Sequence, residues 1–319
     1  MPLPNNERVV ALANDILQQF DKIFGLHPGF RAAHAKGQML TGVFTPTVEA
    51  KSLSKAAHYA RPSTPVTVRF SNSTGIPLLP DNSPDANPRG LAIRFNLADH
   101  VHTDMVTHST DGFPSPDGKE FLEFLLAVAS SGADVPSPKP IETFVATHPA
   151  ALAFVQTPKP HPLSFAQDAY YSVSAFQFTN AEGKISHGKY RILPEAGTAF
   201  FKESEAEALS PTYLFDELSE RIKAGPIRFK IVVQLAAQGD VVDNATVHWP
   251  EDRPLLEVGT VELTELVADN AQEQKHIIFD PIPRIEGIEP TADPLFELRA
   301  AIYLISGRRR RAATLETAH

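Results

Sequence analysis

Proline punctuates this chain more densely than any other signal in it. There are 28 prolines in 319 residues, well above the usual ~5%. Proline lacks an amide donor and fixes φ, so it ends helices and stays out of sheet interiors. That density points to many loops between short elements rather than to a helical bundle. Between the prolines two periods are readable. In VTVRFS, Val66, Val68 and Phe70 alternate with Thr67, Arg69 and Ser71, which predicts a strand with one apolar face. GQMLTGVFTPT, GLAIRFNL at 90–97, IRFKIVVQLAA and LLEVGTVELTEL read as further strands. YYSVSAFQFTN and KISHGKYRILP read as strands joined by a turn at AEG, a hairpin signal.

Helical spacing shows at 6–24, where Val9, Leu12, Ile16, Phe20 and Ile23 recur every three or four residues. KEFLEFLLAVASSG and one short stretch at 139–155 are further helix candidates. SPTYLFDELSERIKAG predicts a helix with Ser210 as cap, Pro211 at its first position and Gly225 as stop. Residues 293–315 predict a last helix, weakened at Gly307. Residues 72–90 read as a loop, HVHTDMVTHSTDGFPSPDG as irregular, and the proline-rich 133–163 as a crossover rather than a free linker. The fold class is therefore α+β with antiparallel strands.

Composition excludes several functions. With no Cys there is no disulfide framework, thiolate nucleophile or thiolate ligand. A formal charge of -9 argues against broad binding to nucleic acid or anionic membranes. A 42% hydrophobic content suffices for a core. No run of ~18 apolar residues predicts a membrane-spanning helix. MPLPNNERVV lacks the basic and apolar regions of a secretory signal, so a cytoplasmic protein is expected. Nucleotide-loop, HExxH and GxSxG motifs are absent.

Three constellations remain. Arg299, Tyr303 and Arg310 fall within about 40° of one another around a helix axis. They are either a partly buried Tyr beside solvated Arg or a tyrosinate held charged by cations, a known type of axial haem ligand. The run Arg308 to Arg311 as a nucleic-acid or partner patch is a weaker reading in so acidic a chain. His34 lies among small residues in FRAAHAKG, leaving room for something large, and Ser71 and Arg69 share one strand face. A Ser oxygen can accept from a His nitrogen and fix its tautomer. An Arg there can meet an anionic group. His100, His102, Asp104 and His108 invite a metal site, although the spacing matches no compact motif and surface histidines explain it as well. Phe113, Phe121 and Phe124 suit a core, or a wall for a flat apolar cofactor.

Taken together, these motifs resemble the haem catalases, and most closely their short relatives, the catalase-related peroxidases. HAKG at 34–37 resembles the distal histidine motif. VRFS at 68–71 and PRGLAIRF at 88–95 resemble the strands after it, FQFTNAEGK at 176–184 the hairpin, and DPLFELRAAIY at 293–303 the proximal Arg-x-x-x-Tyr segment. The similarity spans roughly residues 25–310. It implies a closed antiparallel β-barrel of about eight strands with flanking helices, as one domain over 1–319. It implies haem b ligated by Tyr303 with Arg299 as its partner. Arg31, Arg69 and Arg310 would meet the propionates, and Phe113 and Phe121 keep the family's aromatic positions. His34 would be the catalytic base and Ser71 its hold.

The implied chemistry is peroxide reduction through a ferryl intermediate, with a small organic electron donor as co-substrate. True dismutation and a non-catalytic haem sensor are the alternatives on the same barrel. A haem-free binder is a further one. Departures favour the peroxidase. DMVTHST puts His108 where catalases carry a distal Asn, so orientation of a second hydrogen peroxide is weakened. Leu304, Ile305, Ser306 and Gly307 replace the residues that follow the tyrosine. Neither the N-terminal arm that threads through neighbours nor a C-terminal nucleotide-binding domain is expected, which leaves a homodimer as the expected assembly.

Overall fold

Period-two alternation in the chain's strands closes a sheet on itself. The computed structural model describes residues 2–313. Its strands are β1 (Gly37–Pro46), β2 (Thr64–Ser71), β3 (Gly90–Ala98), β4 (Val101–His108), β5 (Tyr170–Ser172), β6 (Phe176–Thr179), β7 (Ile185–Pro194), β8 (Ile227–Leu235), β9 (Leu255–Leu266) and β10 (Ile288–Pro290). All pairings are antiparallel, and β7 pairs with β8 to close the ring β1-β2-β3-β4-β5-β7-β8-β9. That is the expected eight-stranded barrel, with β6 and β10 added at the side. Val66, Val68 and Phe70 point inward with Leu91, Ile93, Phe95, Phe229 and Ile231, all buried. Burying each such side chain contributes about 1.5–3 kcal/mol.

Helices cover the outside. They are α1 (Glu7–Phe24), α2 (Ala50–Leu53), α3 (Ala57–Ala60), α4 (Gly118–Ala129), α5 (Pro140–Thr147), α6 (Pro149–Gln156), α7 (Glu203–Ala206), α8 (Tyr213–Ala224), α9 (Asn270–His276) and α10 (Leu295–Ala312). Asn6 caps α1 by accepting from the Arg8 amide, and Gly25 ends it at φ +84°. Ala13 and Ile16 of α1 pack with Leu125 of α4 and with Leu295, Leu298 and Ala301 of α10 in a second core. No helix among the described residues is long and apolar enough to cross a membrane.

Four expectations are corrected. Residues 101–108 form β4 rather than an irregular stretch. Its inward positions are Thr103, Met105 and Thr107, opposite Phe95, Ile93 and Leu91, and one apolar residue in three hides the period. The stretch at 139–155 is two helices, because Pro149 begins α6 after His148. Ser210 does not cap α8: its carbonyl accepts from the Tyr213 amide in a turn, and Thr212 stands at the cap. Gly307 does not weaken α10, which runs unbroken to Ala312. A Cβ at 307 would strike the Ile278 side chain, so glycine is needed there for packing. The last two residues of the 293–315 reading lie outside the described residues.

Candidate active site

Register across the barrel wall assembles the site. Gly37, Ser71, Gly90 and His108 are direct neighbours on four adjacent strands. Side chains opposite one another in an antiparallel pair share a face, and this row lies on the outer face. His34 stands over it. The Ser71 hydroxyl is 3.2 Å from His34 Nδ1. Gly90 has to be glycine: a Cβ there would lie 2.5 Å from Ser71 Oγ and 2.9 Å from His34 Nδ1. One row along, Met39, Arg69, Ala92 and Val106 are opposed. Small residues at 90 and 92 leave the wall flat between Ser71 and β4.

His34 itself is strained into place. Its φ of +55° is a left-handed conformation for a residue with a side chain, at a cost of about 1–3 kcal/mol. The neighbouring backbone holds it: the Ala35 amide donates to Thr74 O at 3.0 Å and the Asn72 amide to Lys36 O at 3.1 Å. Arg69 Nη2 donates to His34 O at 2.9 Å and Ala35 O at 3.2 Å, while its Nε donates to Gln274 Oε1 at 2.7 Å. Burial and then Arg69 push the His34 pKa down to about 4, with the Asn72 backbone acting the other way. The ring is therefore neutral at pH 7. His108 is likewise neutral, pushed down to about 3 by burial first and then by His34 and Arg299. Its Nδ1 accepts from the Thr110 amide at 3.4 Å.

On the other side α10 presents Arg299 and Tyr303 together, the guanidinium carbon 5.9 Å from the ring centre. Arg310 follows two turns later and is buried. Its Nη2 donates to Ile277 O at 2.7 Å, and Arg31 Nη2 donates to the same carbonyl at 3.1 Å. Burial, Arg69 and Arg310 push Arg31 well below its ordinary value. Burial and then Arg310 push Arg69 down to about 9. Burial and then Arg311 push Arg310 down to about 10. Tyr303 acts in the opposite sense on Arg31 and Arg69, so its oxygen lies within electrostatic reach of both. Guanidinium groups stay charged, so the three cations repel one another with no carboxylate to offset them among the described residues. Among the described residues, no carboxylate pairs with Arg31, Arg69 or Arg310.

A sequence profile described as catalase matches residues 18–317. The chain belongs to the catalase family. A catalase-related peroxidase of Synechococcus elongatus is 32% identical over 303 residues, covering 93% of this chain and 88% of that protein. One from Mycolicibacterium paratuberculosis is 32% identical over 289 residues, covering 90% of each. Among solved structures, catalase A from Saccharomyces cerevisiae superposes with a TM-score of 0.79 at 22% identity, over 93% of this chain and 64% of that one. A fungal catalase gives 0.78 at 23%, over 88% and 59%. The barrel is thus a catalase barrel, and this chain spans about six-tenths of those solved chains.

Catalases bind haem, and the donor set here fits it. A dianionic, flat cofactor would be matched by three arginines, two buried and one half-buried, that pair with no carboxylate among the described residues, by a small-residue wall, and by Tyr303 within electrostatic reach of Arg31 and Arg69. Phe113 and Phe121 pack on each other, ring centres 4.9 Å apart, in the core between α1, α4 and α10. The suggested metal site on β4 is not formed: no cluster of metal-ligating side chains occurs among the described residues. Asp104 is instead held by Arg94 at 2.8 and 2.7 Å and by the Asp280 amide, while His100 is exposed.

Sequence reading missed the supports beneath Ser71. Arg89, fully buried, donates to Asn72 Oδ1 at 2.5 Å and Asp81 O at 2.7 Å. Asp81 in turn accepts from Lys36 Nζ at 2.6 Å and Asn72 Nδ2 at 2.7 Å. Gln274 and the Ile277 carbonyl were equally invisible. NAQEQKH has no apolar stripe, and a backbone carbonyl carries no sequence signal. Ser306, one of the departures from the family, accepts from the Ala32 amide at 3.3 Å and ties the His34 loop to α10.

Proposed function

We propose that this chain is a haem b peroxidase that reduces organic hydroperoxides, and hydrogen peroxide more slowly, using a small organic electron donor. It acts as one catalase-like unit over residues 1–319. The observation that carries this reading is the convergence of Arg31, Arg69 and Arg310, unpaired with any carboxylate among the described residues, close to His34 with Ser71 and to Tyr303 with Arg299. Tyr303 would ligate the iron and the three arginines would hold the propionates. Bound haem would supply the iron centre at which the O–O bond is cleaved. The names of its relatives, catalase-related peroxidases, support the same class.

The residues divide the proton work. Ser71 accepts from His34 Nδ1–H, and the Asn72 backbone favours a proton on the ring. This leaves Nε2 as the free base. Nε2 takes the proton from the near oxygen of a peroxide and returns it to the departing oxygen as alcohol or water forms. His108, with Nδ1 occupied by the Thr110 amide, carries its proton on Nε2 and offers a donor. The site thus pairs one acceptor with one donor. An imidazole reaches differently from an amide, so a second hydrogen peroxide is held less well than by Asn.

Two measurements test this. The purified, haem-loaded protein should show a strong Soret band, and should oxidise a phenolic dye with cumene hydroperoxide faster than it releases oxygen from hydrogen peroxide. No Soret band after reconstitution would remove the haem reading, and the reverse rate order would make the protein a dismutase. His108→Asn should raise oxygen release about tenfold, the scale of one well-placed hydrogen bond. An unchanged ratio of the two activities would acquit His108.

A further inference from the structure

A cavity opens beside the arginine cluster, lined by Arg31 and Arg310 but not by His34, Arg69 or Tyr303. It measures about 220 Å³ and lies between the 25–32 loop and the end of α10. Two of its walls are apolar and face solvent: Leu26 is 63% and Phe30 47% exposed. Arg31 and Arg310 line its inner end, and Arg309 stands at its rim, paired with Asp21 at 2.5 Å. Three arginines against one aspartate make this a cationic spot on a protein of net charge -9. Apolar side chains flanking a few charges are the pattern of a small-ligand site, in which apolar walls supply affinity and a few polar groups supply orientation.

We propose that this cavity binds the reducing substrate, and that this substrate is a single-ring phenolic carboxylate. The proposal rests on the haem peroxidase reading above. Its volume falls below the roughly 300–1,000 Å³ of drug-sized sites, which suits one ring rather than a fused system. Leu26 and Phe30 would clasp the ring, and the carboxylate would share the outer N–H groups of Arg31 and Arg310 with the propionates in a charge-assisted pair. Arg31 and Arg310 belong to both the cavity and the cofactor's arginine cluster, so a donor here sits at the cofactor's charged edge, in a cavity that His34 does not line. The peroxide and the donor then never compete for one place.

Electrons balance over two donors. One hydroperoxide takes up two electrons and two protons, its O–O bond breaks, and alcohol and water form. Two phenols each lose one electron and one proton, and leave as phenoxyl radicals.

Binding is measured directly, by calorimetric titration of the haem-loaded protein with 4-hydroxyphenylacetate. The parent should bind it, 4-methylphenol should bind at least about tenfold more weakly because it lacks the carboxylate, and saturating cyanide should not displace it. Phe30→Ala and Leu26→Glu should each raise the Kd at least about tenfold while keeping the parent's Soret band. Both side chains are exposed, so the fold tolerates the changes. Absence of binding, equal Kd values in parent and variants, or displacement by cyanide would overturn the assignment. A missing Soret band would instead overturn the haem reading, whatever the titration shows.

Discussion

Tyr303→Phe is expected to abolish the tyrosine-to-iron charge-transfer absorption of the haem-loaded protein and to cut peroxide turnover about 10³-fold or more. That loss is the scale seen when a principal electrostatic contributor to a reaction is removed. The substitution deletes one oxygen and nothing else. The residue sits in the middle of α10, whose opposite face is anchored by Leu298 and Ala301 in the core. The helix therefore keeps its place, and the Tm should move by no more than a degree or two. Arg299, one turn earlier with its guanidinium 5.9 Å from the ring, allows a second arm. Arg299→Gln should keep the ligand but shift the charge-transfer band, because the positive charge beside the tyrosine is gone while a donor of similar reach remains. A Tyr303→Phe protein with the parent spectrum would remove Tyr303 from the iron. A shifted but active protein would point to a substitute ligand.

How much of this was legible follows from the kind of signal each part leaves. The β2 strand and the α10 face are local patterns, in which Val66, Val68 and Phe70 alternate and Arg299 and Tyr303 stand one turn apart. Both survive in the structure. The eight-stranded closure was legible only through resemblance, since β7 meeting β8 joins residues about forty apart with no local cue. β4 was not legible because its inward side chains include Thr103 and Thr107, whose burial depends on partners in β3. At the site, His34, Ser71 and Tyr303 could be named from motifs. The left-handed backbone at His34 could not, because glycine is the usual marker of that conformation and histidine stands there instead. The supports of Arg69 and Arg31 come from Gln274 and the Ile277 carbonyl, more than 200 residues away in the chain. Such contacts exist only once the barrel has closed.

His34→Ala should leave haem bound and slow peroxide cleavage by about 10³- to 10⁴-fold, toward the upper end of what a positioned general base contributes. The haem content should hold because Arg31, Arg69, Arg310 and Tyr303 are untouched. Two pH signatures separate a base from a merely structural residue. In the parent, His34 titrates near 4, so the rate of peroxide cleavage should stay flat from pH 7 down to about 5 and fall with an acid limb near 4. In the Ala variant the residual rate should lack that limb. The second signature is stability. His34, half-buried and neutral, binds its proton in the unfolded chain below about 6.5, but in the folded protein only near 4. The unfolded state thus holds more protons between those values, and stability falls as pH drops through that window. His58 and His108, both pushed down to about 3 by burial, act in the same direction. Removing His34 takes away one of these contributions, so the variant's Tm should drop less between pH 7 and pH 4 than the parent's. Ser71→Ala keeps the ring and loses only its hold on Nδ1, so a loss of about tenfold with the acid limb moved is expected. Should His34→Ala cleave peroxide at the parent rate, His108 would be the base, and the tautomer argued for it from the Thr110 amide would have to be reversed.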